Sequence, residues 1–108
     1  MRFNTALLHS AKLGDENTGA TLTPIYQSSA FYQPSAEQHE KLFHNKATGY
    51  SYTRINNPTI AAFEERMTNL EKGVGSVACS SGMAALTNAL LNIVGTGGEI
   101  VSSTGLYG

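Results

Sequence analysis

Two stretches in the second half of the chain carry apolar residues at the same spacing. Ile60, Phe63, Met67 and Leu70 recur at i, i+3, i+7 and i+10, and so do Met83, Leu86, Leu90 and Ile93. Each set falls on one face of an α-helix. The first helix has a clear start. Asn57 can cap it, and Pro58 suits its first position, where the missing N–H would find no partner anyway. Glu64, Glu65, Arg66 and Glu71 take the other faces, and Gly73 is placed to end the helix. Between the two helices "VGSVACS" reads as a short strand, and after Gly95 and a "TGG" turn "EIVSS" reads as a second. The order is helix, strand, helix, strand, with one parallel βαβ unit. A parallel sheet is covered on both faces and usually has more than two strands. The pattern therefore predicts the beginning of a larger α/β domain, cut just after its second strand.

Residues 1–57 have a different texture. They are polar, dotted with aromatic side chains, and punctuated by Pro24 and Pro34. "TPIYQSSAFYQP" reads as extended chain. One short helix is predicted, with Ser35 and Gln38 as a capping box and Leu42 and Phe43 as a small apolar face. This half lacks the apolar density for a core of its own, so it is expected to lie on another domain or subunit. The division is thus an interface arm over 1–57 and an incomplete domain over 58–108.

Composition narrows the function classes. The chain has 108 residues, 41% of them hydrophobic, which fits one small domain or part of a larger one. Seven basic and eight acidic residues give a net charge of −1, with no footprint for nucleic acid and no polybasic membrane patch. No apolar run is long enough to span a membrane, and the first residues lack the apolar centre of a signal peptide. Cys79 is the single cysteine, which excludes an internal disulfide and fits a reduced, cytoplasmic setting. His9, His39 and His44 show no metal-ligand spacing, so no metal is expected. "GVGSVA", residues 73–78, matches the dinucleotide pattern but precedes a strand and opens no helix, so it fails the structural condition. There is no Walker A sequence, and "CSSG" lacks the leading glycine of a nucleophile elbow.

Three stretches carry candidate chemistry. "SSGMAA" lies between a strand and a helix, where backbone N–H groups and the helix dipole converge on one point and stabilise an anion such as a phosphate. Ser80 and Ser81 can add hydroxyl donors, and Gly82 lets a ligand approach the backbone. A plain turn with a serine cap explains the same residues. "YSYTRINNPT" places Arg54 among tyrosines. Arg54 can grip a phosphate or carboxylate with two parallel bonds, and Tyr52 can donate its hydroxyl. An interface segment with Arg54 paired to an acid is the alternative. "GLYG" sits at the carboxyl end of the second predicted strand, the edge where open α/β sheets bind ligands. Tyr107 could lie flat on a planar ring there, or simply cover the sheet edge. Cys79 has no nearby base and reads as a small buried residue.

In this order the stretches resemble one family. "TLTPIYQSSAF", "GYSYTRINNPTIAAFEERMTNLE", "CSSGMAA" and "GGEIVSSTGLYG" together look like the amino-terminal part of the Cys/Met-metabolism enzymes that use pyridoxal 5′-phosphate (PLP). The branch with O-acetylhomoserine sulfhydrylase and methionine γ-lyase looks nearest. The resemblance implies an α/β fold: the truncated start of the large domain of a fold-type I (aspartate aminotransferase-like) PLP-dependent transferase, preceded by an extended arm. It also implies roles. The backbone at Gly82 and Met83, aided by Ser81, would hold the PLP phosphate. Tyr107 would stack on the pyridine ring and take part in proton transfer. Tyr52 and Arg54 would reach the phosphate in a neighbouring subunit's site, within a dimer or tetramer. The substrate would be an amino acid, and the reaction γ-replacement or γ-elimination, with PLP as the electron sink.

The carry-over has a limit. Lys12, Lys41, Lys46 and Lys72 are the chain's lysines, and none stands where the family's PLP-bearing lysine stands. Without that lysine the 108 residues are expected to be inactive by themselves. Two other readings are a non-catalytic module that binds a full-length subunit and an unrelated phosphate-binding α/β domain.

Overall fold

The computed structural model describes residues 2–11 and 14–107; Lys12 and Gly108, named above, lie outside the described residues. The described residues contain α1 (Phe3–His9), α2 (Ala36–Phe43), α3 (Pro58–Glu71) and α4 (Gly82–Ile93). They group into two compact units, residues 1–77 and 78–108.

In the first unit, α3 begins where its sequence signals place it. Asn57 has extended backbone, its Oδ1 accepts from the Thr59 N–H at 2.8 Å, and Pro58 occupies the first turn. The end differs by one residue. Lys72, at φ 54°, takes the left-handed position expected of Gly73, and the Gly73 N–H then reaches back to the Thr68 carbonyl at 2.9 Å. The exit is fixed there because the Thr68 hydroxyl also bonds the Glu64 carbonyl and the Ser76 hydroxyl. Helix α2 also follows its cap: Ser35 Oγ accepts from the Gln38 N–H at 3.1 Å. Helix α1 was not expected. It has no side-chain cap, so the sequence carries no start signal for it. It is held by packing on α3, with the Asn69 side-chain amide donating to the Ser10 carbonyl.

Residues 29–31 run antiparallel to residues 51–53. The Phe31 N–H donates to the Ser51 carbonyl at 3.0 Å and the Thr53 N–H to the Ser29 carbonyl at 2.9 Å. Ala30 and Tyr52 thus face each other as a non-hydrogen-bonded pair, the arrangement that brings opposite side chains closest. Gln33 adds a bond to the Tyr50 carbonyl at 2.7 Å, and the rings of Phe31 and Tyr50 lie 5.7 Å apart. Before the arm, Asp15 closes a turn to Ala20. Gly14 is needed at its entry: φ is +84°, and a side chain would run into the Ala20 carbonyl.

In the second unit, Ser81 caps α4, and the chain leaves at Val94 into a turn closed by the Gly98 N–H on the Gly95 carbonyl. The two predicted strands are not formed. Neither residues 74–80 nor 99–103 pair into a ladder among the described residues, so the βαβ unit has no sheet. The physical reason is partnership. A strand's backbone groups need neighbours, and two short parallel segments joined through a helix do not make a self-sufficient sheet.

Apolar burial is correspondingly small. Among the described residues Ala11 is the one buried hydrophobic side chain, whereas Phe63, Met83, Leu86 and Ile93 are all more than half exposed. No helix among the described residues is long and apolar enough to cross a membrane.

Two expectations follow. Faces this apolar associate in water, so the 108-residue chain is expected to sediment as an oligomer; a monomer with one cooperative unfolding transition would contradict this. The second concerns pH. The Asn17 backbone N–H, first, and then the Thr18 hydroxyl hold the Asp15 carboxyl below its ordinary value of 3.8. Because the folded value is the lower one, the turn's contribution is present above the unfolded value and is lost as pH falls through the folded value. Thr18→Val is expected to raise the Asp15 titration midpoint, read by carboxyl NMR.

Candidate cofactor-binding site

The mouth of α4 is built from Ser81, Gly82 and Met83. Ser81 Oγ accepts from the Ala84 N–H at 3.1 Å. That bond uses an oxygen lone pair and leaves the hydroxyl proton free to donate outward. The N–H groups of Gly82 and Met83 come too early in the helix to reach an intrahelical carbonyl, and the positive end of the dipole lies with them. No acidic residue stands in the first turn. At Gly82 the backbone is outside the left-handed region, and a Cβ would meet nothing within 4 Å. Neither conformation nor a protein neighbour among the described residues therefore calls for glycine here. Two N–H groups and a hydroxyl proton make the donor set a phosphate needs, and these residues fit the phosphate end of PLP.

Tyr52 and Arg54 form a second cluster, in the first unit. The Arg54 guanidinium lies over the Tyr52 ring, 5.4 Å from its centroid. The expected alternative was an ion pair, but no carboxylate pairs with Arg54 among the described residues. An exposed cation–π contact contributes about 0.5–1 kcal/mol, enough to bias the guanidinium without burying it. The backbone beneath is fixed, since the Ile55 and Asn56 N–H groups both donate to the Tyr52 carbonyl, at 2.9 and 3.1 Å. The Tyr52 ring keeps 42% of its surface in solvent.

The structure thus brings Ser81, Gly82 and Met83 together, and brings Tyr52 and Arg54 together, in separate units. Tyr107 lies in the second unit and is fully exposed. Cys79 is half-buried and receives a long contact from the Asn88 amide at 3.6 Å. No group of metal-ligating side chains occurs among the described residues.

Asn57 and Thr59 do more than start the helix. Asn57 caps it, as its sequence position predicts. Its Nδ2 also donates to the Tyr26 carbonyl at 2.9 Å and to Thr53 Oγ1 at 3.0 Å. Thr59 Oγ1 accepts from the Tyr26 N–H at 2.9 Å and donates to the Pro24 carbonyl at 3.1 Å. The available signal was the "TPIY" stretch itself: extended chain broken by proline has backbone groups that must find partners.

Comparison with known proteins gives the family. The profile of the Cys/Met metabolism PLP-dependent enzymes matches residues 4–108. The chain is 47% identical over 106 residues to the O-acetyl-L-homoserine sulfhydrylase of Corynebacterium glutamicum, which covers 98% of this chain and 24% of that protein. It is 43% identical to the cystathionine gamma-lyase of Bacillus subtilis, over 100% of this chain and 26% of that protein. A Campylobacter jejuni structure assigned as an O-acetylhomoserine (thiol)-lyase superposes with a TM-score of 0.80 at 31% identity. It covers 90% of this chain and 24% of that one, and it carries N′-pyridoxyl-lysine-5′-monophosphate at position 205. A Lactobacillus plantarum cystathionine gamma-lyase solved with L-serine superposes with a TM-score of 0.69 at 38% identity, over 83% of this chain and 21% of that one. The fold is the start of a fold-type I PLP-dependent enzyme. The chain belongs to the Cys/Met metabolism PLP-dependent enzyme family, and it spans about a quarter of the length of the curated relatives it matches.

The glycine at the helix mouth gives a direct test. In a chimera where this chain replaces its counterpart in the C. glutamicum sulfhydrylase, Gly82→Ala is expected to leave the helix intact, since alanine favours helix by about 0.5–1 kcal/mol. PLP affinity is expected to fall, because the added methyl enters the space above the N–H groups. Unchanged PLP affinity by fluorescence titration would remove Gly82 from the site.

Proposed function

We propose that this chain is the amino-terminal part of an enzyme that exchanges the γ-substituent of an O-acylated homoserine for sulfide or a thiol. Supporting the substrate class is the 47% identity to an O-acetyl-L-homoserine sulfhydrylase. The observation that carries the site is the mouth of α4, where a capping serine keeps a donor free beside two N–H groups and an open glycine.

In this reading the Gly82 and Met83 N–H groups and the Ser81 hydroxyl hold the PLP phosphate. Tyr52 and Arg54 extend from one subunit to the phosphate in its neighbour's site. Residues 1–57 form the interface arm of a dimer or tetramer, and residues 58–108 begin the PLP-binding domain. Tyr107 lies against the pyridine ring, and its hydroxyl holds and moves a proton at the substrate. Bound PLP supplies an electron sink for negative charge developing on the substrate's carbons. The setting is the cytoplasm, in line with a single unpaired thiol. The 108 residues alone are inactive, because none of Lys12, Lys41, Lys46 and Lys72 stands where the family's PLP-bearing lysine stands. A second reading, γ-elimination, has support in the 43% identity to a cystathionine gamma-lyase and 40% to an L-methionine gamma-lyase.

Turnover by the full-length enzyme that carries this chain separates these readings. Sulfide-dependent homocysteine release from O-acetylhomoserine is expected, with slower keto-acid release from methionine; the reverse ranking selects γ-elimination, and no turnover of either removes both. Tyr107→Phe is expected to keep PLP bound while kcat falls by about 10²-fold, the usual contribution of a positioned proton-transfer group. Turnover by the 108 residues alone would refute their assigned inactivity.

A further inference from the structure

Residues 24–26 and the Tyr52–Arg54 segment are joined by a small polar latch. Asn57 is 3% exposed and is the buried polar residue of the described chain. Its carboxamide uses both ends: Oδ1 accepts from the Thr59 N–H, and Nδ2 donates to the Tyr26 carbonyl and to Thr53 Oγ1. Thr59 Oγ1 completes the clasp by accepting from the Tyr26 N–H and donating to the Pro24 carbonyl. The backbone of Tyr26 is thus bound at both its N–H and its C=O by side chains at the start of α3. Thr53, which receives the Asn57 amide, lies between Tyr52 and Arg54 and ties its own hydroxyl to the Ser28 carbonyl at 2.5 Å.

A helix cap alone does not require this. Capping needs an acceptor for the Thr59 N–H, which serine or aspartate supplies equally well. The Nδ2 donor is surplus to the cap, and it is spent on the arm and on the residue between Tyr52 and Arg54. We propose that Asn57 is a positioning residue: its amide sets the direction in which Tyr52 and Arg54 leave the surface toward the PLP phosphate of a neighbouring subunit. The inference rests on the reading that Tyr52 and Arg54 serve that phosphate. Thr59 and Thr53 are the other two members of the latch. Ala30, opposite Tyr52 in the closest type of antiparallel pair, leaves the ring room to swing onto Arg54.

The test is a double-mutant cycle on PLP affinity in the C. glutamicum chimera. Asn57→Asp keeps the cap acceptor and removes both Nδ2 bonds. Asn57→Ser does the same with a smaller side chain and no charge, and Thr53→Val removes the receiving hydroxyl at constant shape. Arg54→Ala removes the group being aimed. Each single variant is expected to weaken PLP binding by about tenfold, a change of about 1.4 kcal/mol. Residues acting through one another are non-additive, so Asn57→Ser/Arg54→Ala is expected to bind PLP as Arg54→Ala does. Oligomer melting temperature, measured without PLP, is the second readout: it is expected to fall in Asn57→Ser, which leaves the Tyr26 carbonyl unpaired, and to hold in Thr53→Val, whose loss of affinity then stands apart from stability. Additive losses, or a Thr53→Val loss that tracks the melting temperature, would overturn the positioning role and leave a structural one. Arg54→Ala losing affinity while every latch variant keeps it would also overturn the inference, with the phosphate reading intact. Unchanged affinity in Arg54→Ala defeats the phosphate reading and this inference with it.

Discussion

One buried carboxamide holds the first unit in order. The extended backbone at Pro24 and Tyr26 is bonded by side chains. Asn57 and Thr59 supply the partners from side chains at the first turn of α3. A buried polar group is costly when unpaired and specific when fully paired. Here every bond it makes also fixes a neighbour: the helix start, the Tyr26 backbone, and Thr53 between the two side chains assigned to the phosphate. The antiparallel pairing of Ala30 with Tyr52 continues the same seam.

The helices were legible wherever a side chain marks the start. Ser35, Asn57 and Ser81 each accept from an N–H of the first turn, and α2, α3 and α4 begin where those residues stand. Helix α1 was not legible, because Arg2 offers no such acceptor and its order comes from contact with α3. The strands were overread for a related reason. Alternation and β-branching say that a segment can pair, but only a neighbour makes it a strand, and residues 74–80 and 99–103 have none among those described. The capped helix mouth was legible because Ser81 and the N–H it accepts from lie three residues apart. The surplus donor of Asn57 was not, since it points to a partner thirty-one positions away in the chain.

Exposure and family membership are two sides of one observation. The apolar face of α4, with Met83, Leu86 and Ile93 more than half exposed, has helical spacing and nothing over it in its own unit. The relatives it matches are about four times as long. Little of this chain's own hydrophobic content is buried within it.

Ser81 carries a consequence for anyone who sets out to make such a protein more robust. Aspartate caps a helix as well as serine does and adds favourable charge at the positive end of the dipole. By the usual rules of stabilisation it is the better choice. Yet aspartate at neutral pH has no proton to give, and it places a negative charge where, in the function proposed above, a phosphate rests. Serine satisfies the helix with its lone pair and still has its hydrogen to offer. Thermal hardening and cofactor retention therefore select different residues at the same position, and a survey of stabilising substitutions that ranked this site by helix energetics alone would choose the one that empties it.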